Sequence, residues 1–368
     1  MPEYKLSLRQ LTLLTAMFTI GSAILMAPAG MAATAKQDAW IAALLGVLLG
    51  FIAVTVHLLL ARMHPGKNLI QIFEALLGKW IGKAVGVLFL ITLFLSGPTT
   101  VLQEIGSFVT IQMMPETPIE SIIILFGVII AVGARLGLEV LARSIELMFP
   151  WVLFLFTAMT LLLLHEIKWE KALPVLEFGV GPLFPAALSF ASIVYFPHFI
   201  LLMIYPASLH HPEHAHKAVY IGSMLGSIVL FIIIALTILV LGPNITAQSM
   251  YPSYMLAQKI SLGNFLQRIE AVMAIMWFIS LFFRLSVYLY AIVTGLSQIF
   301  RISNQRVLML PAGWIMVALA MFIYPNVTYR QQWDAQVWIP FSLAAGFLFP
   351  LVLLGLYGVR KLMSRRSE

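Results

Sequence analysis

The sequence predicts an all-α membrane protein of about ten transmembrane helices, built as a five-plus-five inverted repeat with its first and sixth helices broken. Three observations predict it. Of 368 residues, 61% are hydrophobic and only 10% are charged, and mean hydropathy is +0.98, so the chain has too little polar surface to fold as a soluble domain. Apolar runs of about 20 residues recur along the whole length. The first run of the chain and the first run of its second half both contain helix-breaking residues in mid-span.

The spans are expected at 9–35, 40–62, 83–110, 119–135, 142–165, 182–208, 217–242, 266–300, 307–325 and 335–360, within one integral membrane domain covering 1–368. With the N-terminus placed in the cytoplasm, 15 of the 22 lysines and arginines fall on inner segments and six on outer ones, Arg284 lying inside a span. That bias is the positive-inside pattern and puts both termini in the cytoplasm. The net charge of +7 therefore reflects topology and anionic lipid rather than nucleic acid. Zero cysteines exclude disulfides and thiolate metal sites. Lys5 and Arg9, an apolar stretch and Ala33-Thr34-Ala35 imitate a secretory signal. The run from Arg9 to Lys36 is 26 residues, longer than a signal core, so this span is expected to stay.

In the first span, Phe18–Gly30 reads FTIGSAILMAPAG. Gly21 lies about 18 Å along a helix from Arg9, near the bilayer centre. A break there would free the amides of Gly21, Ser22, Ala23 and Ile24 at the positive end of a half-helix, a setting that favours a carboxylate. The alternative is a Gly-Ser kink for close packing. In the third span Ser96, Thr99, Thr100, Gln103 and Ser107 share one face, and Gly97-Pro98 bends the helix; packing and ligand contact are both open to that stripe. The sixth span, PAALSFASIVYFPHF at Pro185–Phe199, is interrupted at Ser189, Ala191, Ser192 and Pro197. In the eighth, Arg284 is about 25 Å from Arg301, too deep to snorkel easily. Two roles are open to it: clamping span eight to the unwound carbonyls of span one, where a coupling cation would sit in a carrier, or a plain structural pairing. LHHPEHAHK at Leu209–Lys217 groups four histidines and a glutamate, but it sits in a predicted cytoplasmic loop and reads as solvated linker rather than metal site. No catalytic motif occurs, so neither an enzyme nor a cofactor is expected.

SLRQLTLLTAMFTIGSAILMAPAG at Ser7–Gly30, KQDAW at Lys36–Trp40 and WFISLFFRLSVYLYA at Trp277–Ala291 resemble the B-subunit family of bacterial spore germinant receptors, the GerAB-like proteins. The likeness rests on Gln10, Gly21, Ile24-Leu25, Pro28 and Asp38-Ala39-Trp40, and extends over the whole length. That family lies within the amino acid, polyamine and organocation (APC) transporter superfamily, with a LeuT-like inverted repeat. The resemblance implies a nutrient-sensing subunit, for an amino acid or similar ligand, in the spore inner membrane, working with an A subunit and a lipoprotein C subunit. It implies that Gly21, Ser22 and Ala23 hold the nutrient's carboxylate, that Ser96, Thr100, Ser192, Ile193 and Ser280 shape the rest of the pocket, and that Glu104 lines a water path. An amino acid transporter is the competing function.

Overall fold

The computed structural model describes residues 5–205, 207–260 and 269–366. Its elements are helical: α1 (Leu8–Ile20), α2 (Ala23–Ala35), α3 (Ala39–Met63), α4 (Leu69–Leu77), α5 (Lys79–Met113), α6 (Ile119–Leu136), α7 (Leu138–Glu166), α8 (Leu183–Val194), α9 (Ala215–Leu236), α10 (Pro243–Gln248), α11 (Pro252–Ala257), α12 (Glu270–Phe300), α13 (Arg306–Phe322) and α14 (Thr328–Met363). Among the described residues no strand forms, only an isolated bridge between Leu6 and Leu209. Among the described residues eight helical stretches are long and apolar enough to cross a membrane, α2 and α3 counting as one, and α1 and α13 are shorter apolar helices.

Most boundaries fall within a few residues of the expected spans. The seventh helix starts at Leu138, earlier than the expected 142, because Gly137 with φ +92° turns the chain there and its carbonyl accepts from the Leu141 amide at 3.2 Å. Residues 266–268 of the eighth expected span lie outside the described residues. The long connection after span seven holds two helices of six residues, α10 and α11.

Lipid-facing positions are large and apolar, as in Leu48, Leu88, Leu125, Trp151 and Phe154, all more than half exposed. The interior is close-packed by small residues on one helix receiving large ones from another. Gly46 and Gly50 of α3 leave room for Phe190 of α8 and for Tyr195, and Gly222 and Gly226 of α9 let its backbone lie against Thr12, Thr15, Ala16 and Thr19 of α1. Without a hydrophobic drive between helices in lipid, such close approach supplies the dispersion energy that holds them together.

Prolines inside spans explain much of the remaining polar bonding. A proline has no amide, so the carbonyl four residues before it loses its helical donor. Pro28 leaves Ile24 O free, and Ser253 Oγ of α11 donates to it at 2.6 Å. Pro98 deprives Phe94 O of its usual donor, and Thr99 Oγ1 donates to it at 2.7 Å. Pro350 leaves Gly346 O free, and His57 Nε2 of α3 lies 2.6 Å away. Pro197 leaves Ile193 O free, and Arg284 Nη2 donates to it at 2.9 Å. Each such oxygen, buried with no partner, would cost about 1–3 kcal/mol.

Candidate functional site

The candidate site grows from Gly21. Helix α1 stops at Ile20 because Gly21 takes φ +31° and ψ −130°, a conformation open to glycine and strained for other residues. The Gly21 amide still reaches Met17 O at 2.9 Å. Among the described residues, no backbone acceptor takes the amides of Ser22, Ala23 or Ile24. Three of the four amides expected to be free are therefore so, and Gly21 is the exception. On the carbonyl side, Ser280 Oγ donates to Gly21 O at 3.1 Å as well as to Trp277 O at 2.8 Å.

Opposite Gly21, α8 ends at Val194 and the chain continues as a 3₁₀ segment from Phe196 to Met203. Pro197 withholds one donor, and His198 N bonds Tyr195 O at 2.9 Å in the tighter register. Arg284 of α12 bridges the two interruptions. Its side chain is 2% exposed, its guanidinium carbon lies 5.1 Å from the Phe18 ring centre and 5.9 Å from that of Tyr288, and a Cβ added to Gly21 would collide with its Cδ and Nη1. The clamp expected between Arg284 and the carbonyls of span one is corrected in one respect: the carbonyl it binds, Ile193 O, belongs to span six. Pro197 makes that oxygen available, whereas Gly21 O is already served by Ser280.

Other expected pocket residues are less directly placed. Ser96 Oγ donates to Thr92 O at 2.8 Å, and Thr100 Oγ1 to Ser96 O and Gly97 O, both at 2.9 Å. These hydroxyls are satisfied within their own helix, and their segment approaches the site through Gly97, which faces Tyr288. The expected bend at Gly97-Pro98 takes the form of a π-helical turn over Leu95–Thr99 in an otherwise unbroken helix, a distortion often found at functional sites. Ser192 Oγ donates to Ser189 O at 2.7 Å, while Ser192 O accepts from Ser342 Oγ of α14 at 2.8 Å. Glu104 is buried with Oε2 unpartnered, and Arg330 acts on it more strongly than Arg284 does.

Several site residues escaped the sequence reading. His198 is 2% exposed, its Nε2 lies 2.9 Å from Thr19 Oγ1, and its ring meets Phe18 edge-on at 5.4 Å and stacks on Tyr195 at 5.8 Å. A lone ionisable group in an apolar span was the signal that could have found it. Arg330, expected in an outer segment, has a side chain 3% exposed and 3.8 Å from Asp334; its place at the head of a long apolar helix concealed that burial. Asp38 and Gln37 of the KQDAW stretch hold the loop between α7 and α8. The Asp38 carboxylate accepts from Leu176 N at 3.0 and 3.1 Å, and Gln37 Nε2 donates to Pro174 O and Glu177 Oε2 at 2.8 Å. In the histidine loop, His211 Nδ1 lies 3.1 Å from Glu213 Oε1 on the surface. Among the described residues no three such side chains converge on one point.

Residues 5–328 match the spore permease family, described as spore germination protein. The chain belongs to that family. It is 28% identical over 364 residues to spore germination protein KB of Bacillus subtilis (strain 168), covering 96% of this chain and 94% of that one. It is 25% identical over 353 residues to spore germination protein A2 of the same organism, covering 91% and 89%. Its fold is that of LeuT-type transporters. The bromovinylhydantoin-bound closed form of Mhp1, a nucleobase-cation symporter, superposes with a TM-score of 0.66 at 15% identity, over 93% of this chain and 76% of that one. MhsT in complex with L-phenylalanine gives 0.66 at 15%, over 96% and 98%. The chain is thus an integral membrane protein related to germination proteins, a family outside the enzymes.

Proposed function

We propose that this chain is the nutrient-binding membrane subunit of a spore germinant receptor. A small nutrient, an amino acid in the first instance, binds where α1 and α8 are interrupted and biases the helix bundle between two states, which an A subunit and a lipoprotein C subunit read. The observation that carries this reading is the run of buried amides at Ser22, Ala23 and Ile24 without acceptors. Three free amides at the start of a half-helix are a ready anion site in a medium that offers no water. Gly21, Ser22 and Ala23 form the floor of the site. Ser280 and Ile193 hold its backbone edges, with Ser96, Thr100 and Ser192 around it, and Glu104 lines a water path from the outer side. Both termini face the cytoplasm, with the protein in the spore inner membrane.

An amino acid transporter is the second reading, favoured by the transporter fold. One pair of experiments separates the two. Spores carrying Gly21→Trp are expected to lose nutrient-triggered germination while the protein still inserts; normal germination would remove the pocket from span one. Liposomes holding this chain alone are expected to show no concentrative uptake of radiolabelled amino acids, and robust accumulation would replace the receptor by the carrier.

A further inference from the structure

We infer that Arg284 is a direct ligand contact: its Nη1 pairs with an anionic group, most simply a carboxylate, that the free amides of Ser22 and Ala23 hold from the other side. The inference rests on the pocket proposed above and fixes the charge of what that pocket takes. Arg284 would then be a specificity-determining residue rather than a clamp alone.

The case begins with the guanidinium's donors. Nη2 is committed to Ile193 O, an oxygen Pro197 leaves without an amide. Nε and Nη1 are buried with no partner, and Nη1 is one of the two Arg284 atoms that close over Gly21. An arginine needed only to satisfy Ile193 O could have been a neutral donor, as Ser253 is for Ile24 O. Instead, a fixed positive charge is held at bilayer depth, at a cost of about 3 kcal/mol or more unless compensated. The compensation within the chain is partial: two aromatic faces lie within cation-π distance, the Tyr288 hydroxyl faces the guanidinium, and the buried carboxylate of Glu104 is shared with Arg330. Among the described residues Arg284 makes no ion pair.

Charge complementarity then points to one class of ligand. The amide run and Nη1 all donate, and both flank the same glycine. Nη1 now covers Gly21; swung off it, the guanidinium and the amide run give a carboxylate donors from α12 and from α2 at once, which links the broken span to the helix that also grips span six. A neutral sugar could accept from Nη1 through a hydroxyl but would leave its charge uncompensated, and a cationic amine would be repelled, in a site without water. Discrimination of this kind is strong because a hydrogen bond between two charged groups is roughly twice as strong as a neutral one.

The test varies the ligand before the protein. The purified full-length chain in detergent is screened by thermal shift with each of the common L-amino acids. Every one that binds is then compared with its own α-carboxamide, which keeps the side chain and ammonium but removes the negative charge. The acid is expected to bind roughly tenfold or more tightly than the amide. In Arg284→Gln that ratio is expected to fall to within about twofold, with Arg284→Lys between the two. A ratio is insensitive to general destabilisation, and if Arg284→Gln fails to fold, the wild-type pair and Arg284→Lys still decide. Equal binding of acid and amide to the wild-type chain overturns the inference, as does an unchanged ratio in Arg284→Gln, or binding of D-glucose or inosine with no amino acid bound. Gly21→Val separates the two levels: if it abolishes binding of acid and amide alike while the two bind the wild type equally, the pocket stands and the role of Arg284 falls.

Discussion

At the scale of single residues, Gly21 and Arg284 constrain each other. The positive φ admits glycine, and the missing Cβ admits the arginine. Gly21→Ala is therefore expected to cost about 1–3 kcal/mol from backbone strain alone, with further loss from collision with the guanidinium. Gly30 lies in the next half-helix with only Ser189 Oγ at 3.9 Å from an added Cβ. Gly30→Ala should be neutral or stabilising by up to about 1 kcal/mol. Thermal unfolding of the two variants side by side checks the contrast, and equal effects would show that Gly21 is not special. The glycine was legible because Gly-Ser in an apolar run has few structural explanations. His198 was not, because its significance depends on Thr19 and Tyr195 meeting it across the bundle, and no local pattern carries that. The two roles left open for Arg284 could not be separated for a related reason: which carbonyl is left free follows from Pro197, four residues after Ile193 in another span, and the arginine's own surroundings in sequence say nothing of it.

Among the elements, the N-terminal end of α1 is held by contacts that do not depend on the site. Leu6 N donates to Ser208 O at 2.7 Å and His210 N to Leu6 O at 3.2 Å, pairing the N-terminal segment with the connection after span six. Ser7 and Gln10 form a capping box, and Gln10 Nε2 donates to Glu146 Oε2 of α7 at 3.0 Å. Leu6→Pro removes one of the two bridge bonds and disturbs a side chain that is fully buried. Amide hydrogen exchange is expected to rise at His210 and through the first turn of α1, with the protection of α12 unchanged; unaltered exchange at His210 would mean the bridge does not hold the segment. The long helices were legible from length and hydropathy. Helices α10 and α11 were not, since six residues give too little periodicity to separate a helix from a loop. The π-helical turn in α5 was foreseen only as a bend, because a proline specifies the lost amide and not how the helix absorbs it.

For the molecule as a whole, the charge distribution and the absence of cysteine combine into a direct experiment. Single cysteines placed at Lys36, Lys171 and Lys259 are expected to react with a membrane-impermeant maleimide added outside intact cells. Those at Lys67, Arg306 and Lys361 should react only after permeabilisation. Labelling of the second group from outside would reverse the topology and with it the cytoplasmic placement of the termini. The starting protein supplies no background thiol.

The pairing of Pro197 with a borrowed donor also has a genetic reading. Removing Arg284 strands one oxygen, and restoring an amide at position 197 would supply that oxygen again. Pro197→Ala should therefore act as a suppressor of Arg284→Met for protein level in the membrane, without rescuing selective recognition of acids. One allele pair would thus divide what this arginine does for its neighbour's backbone from what it does for an incoming molecule.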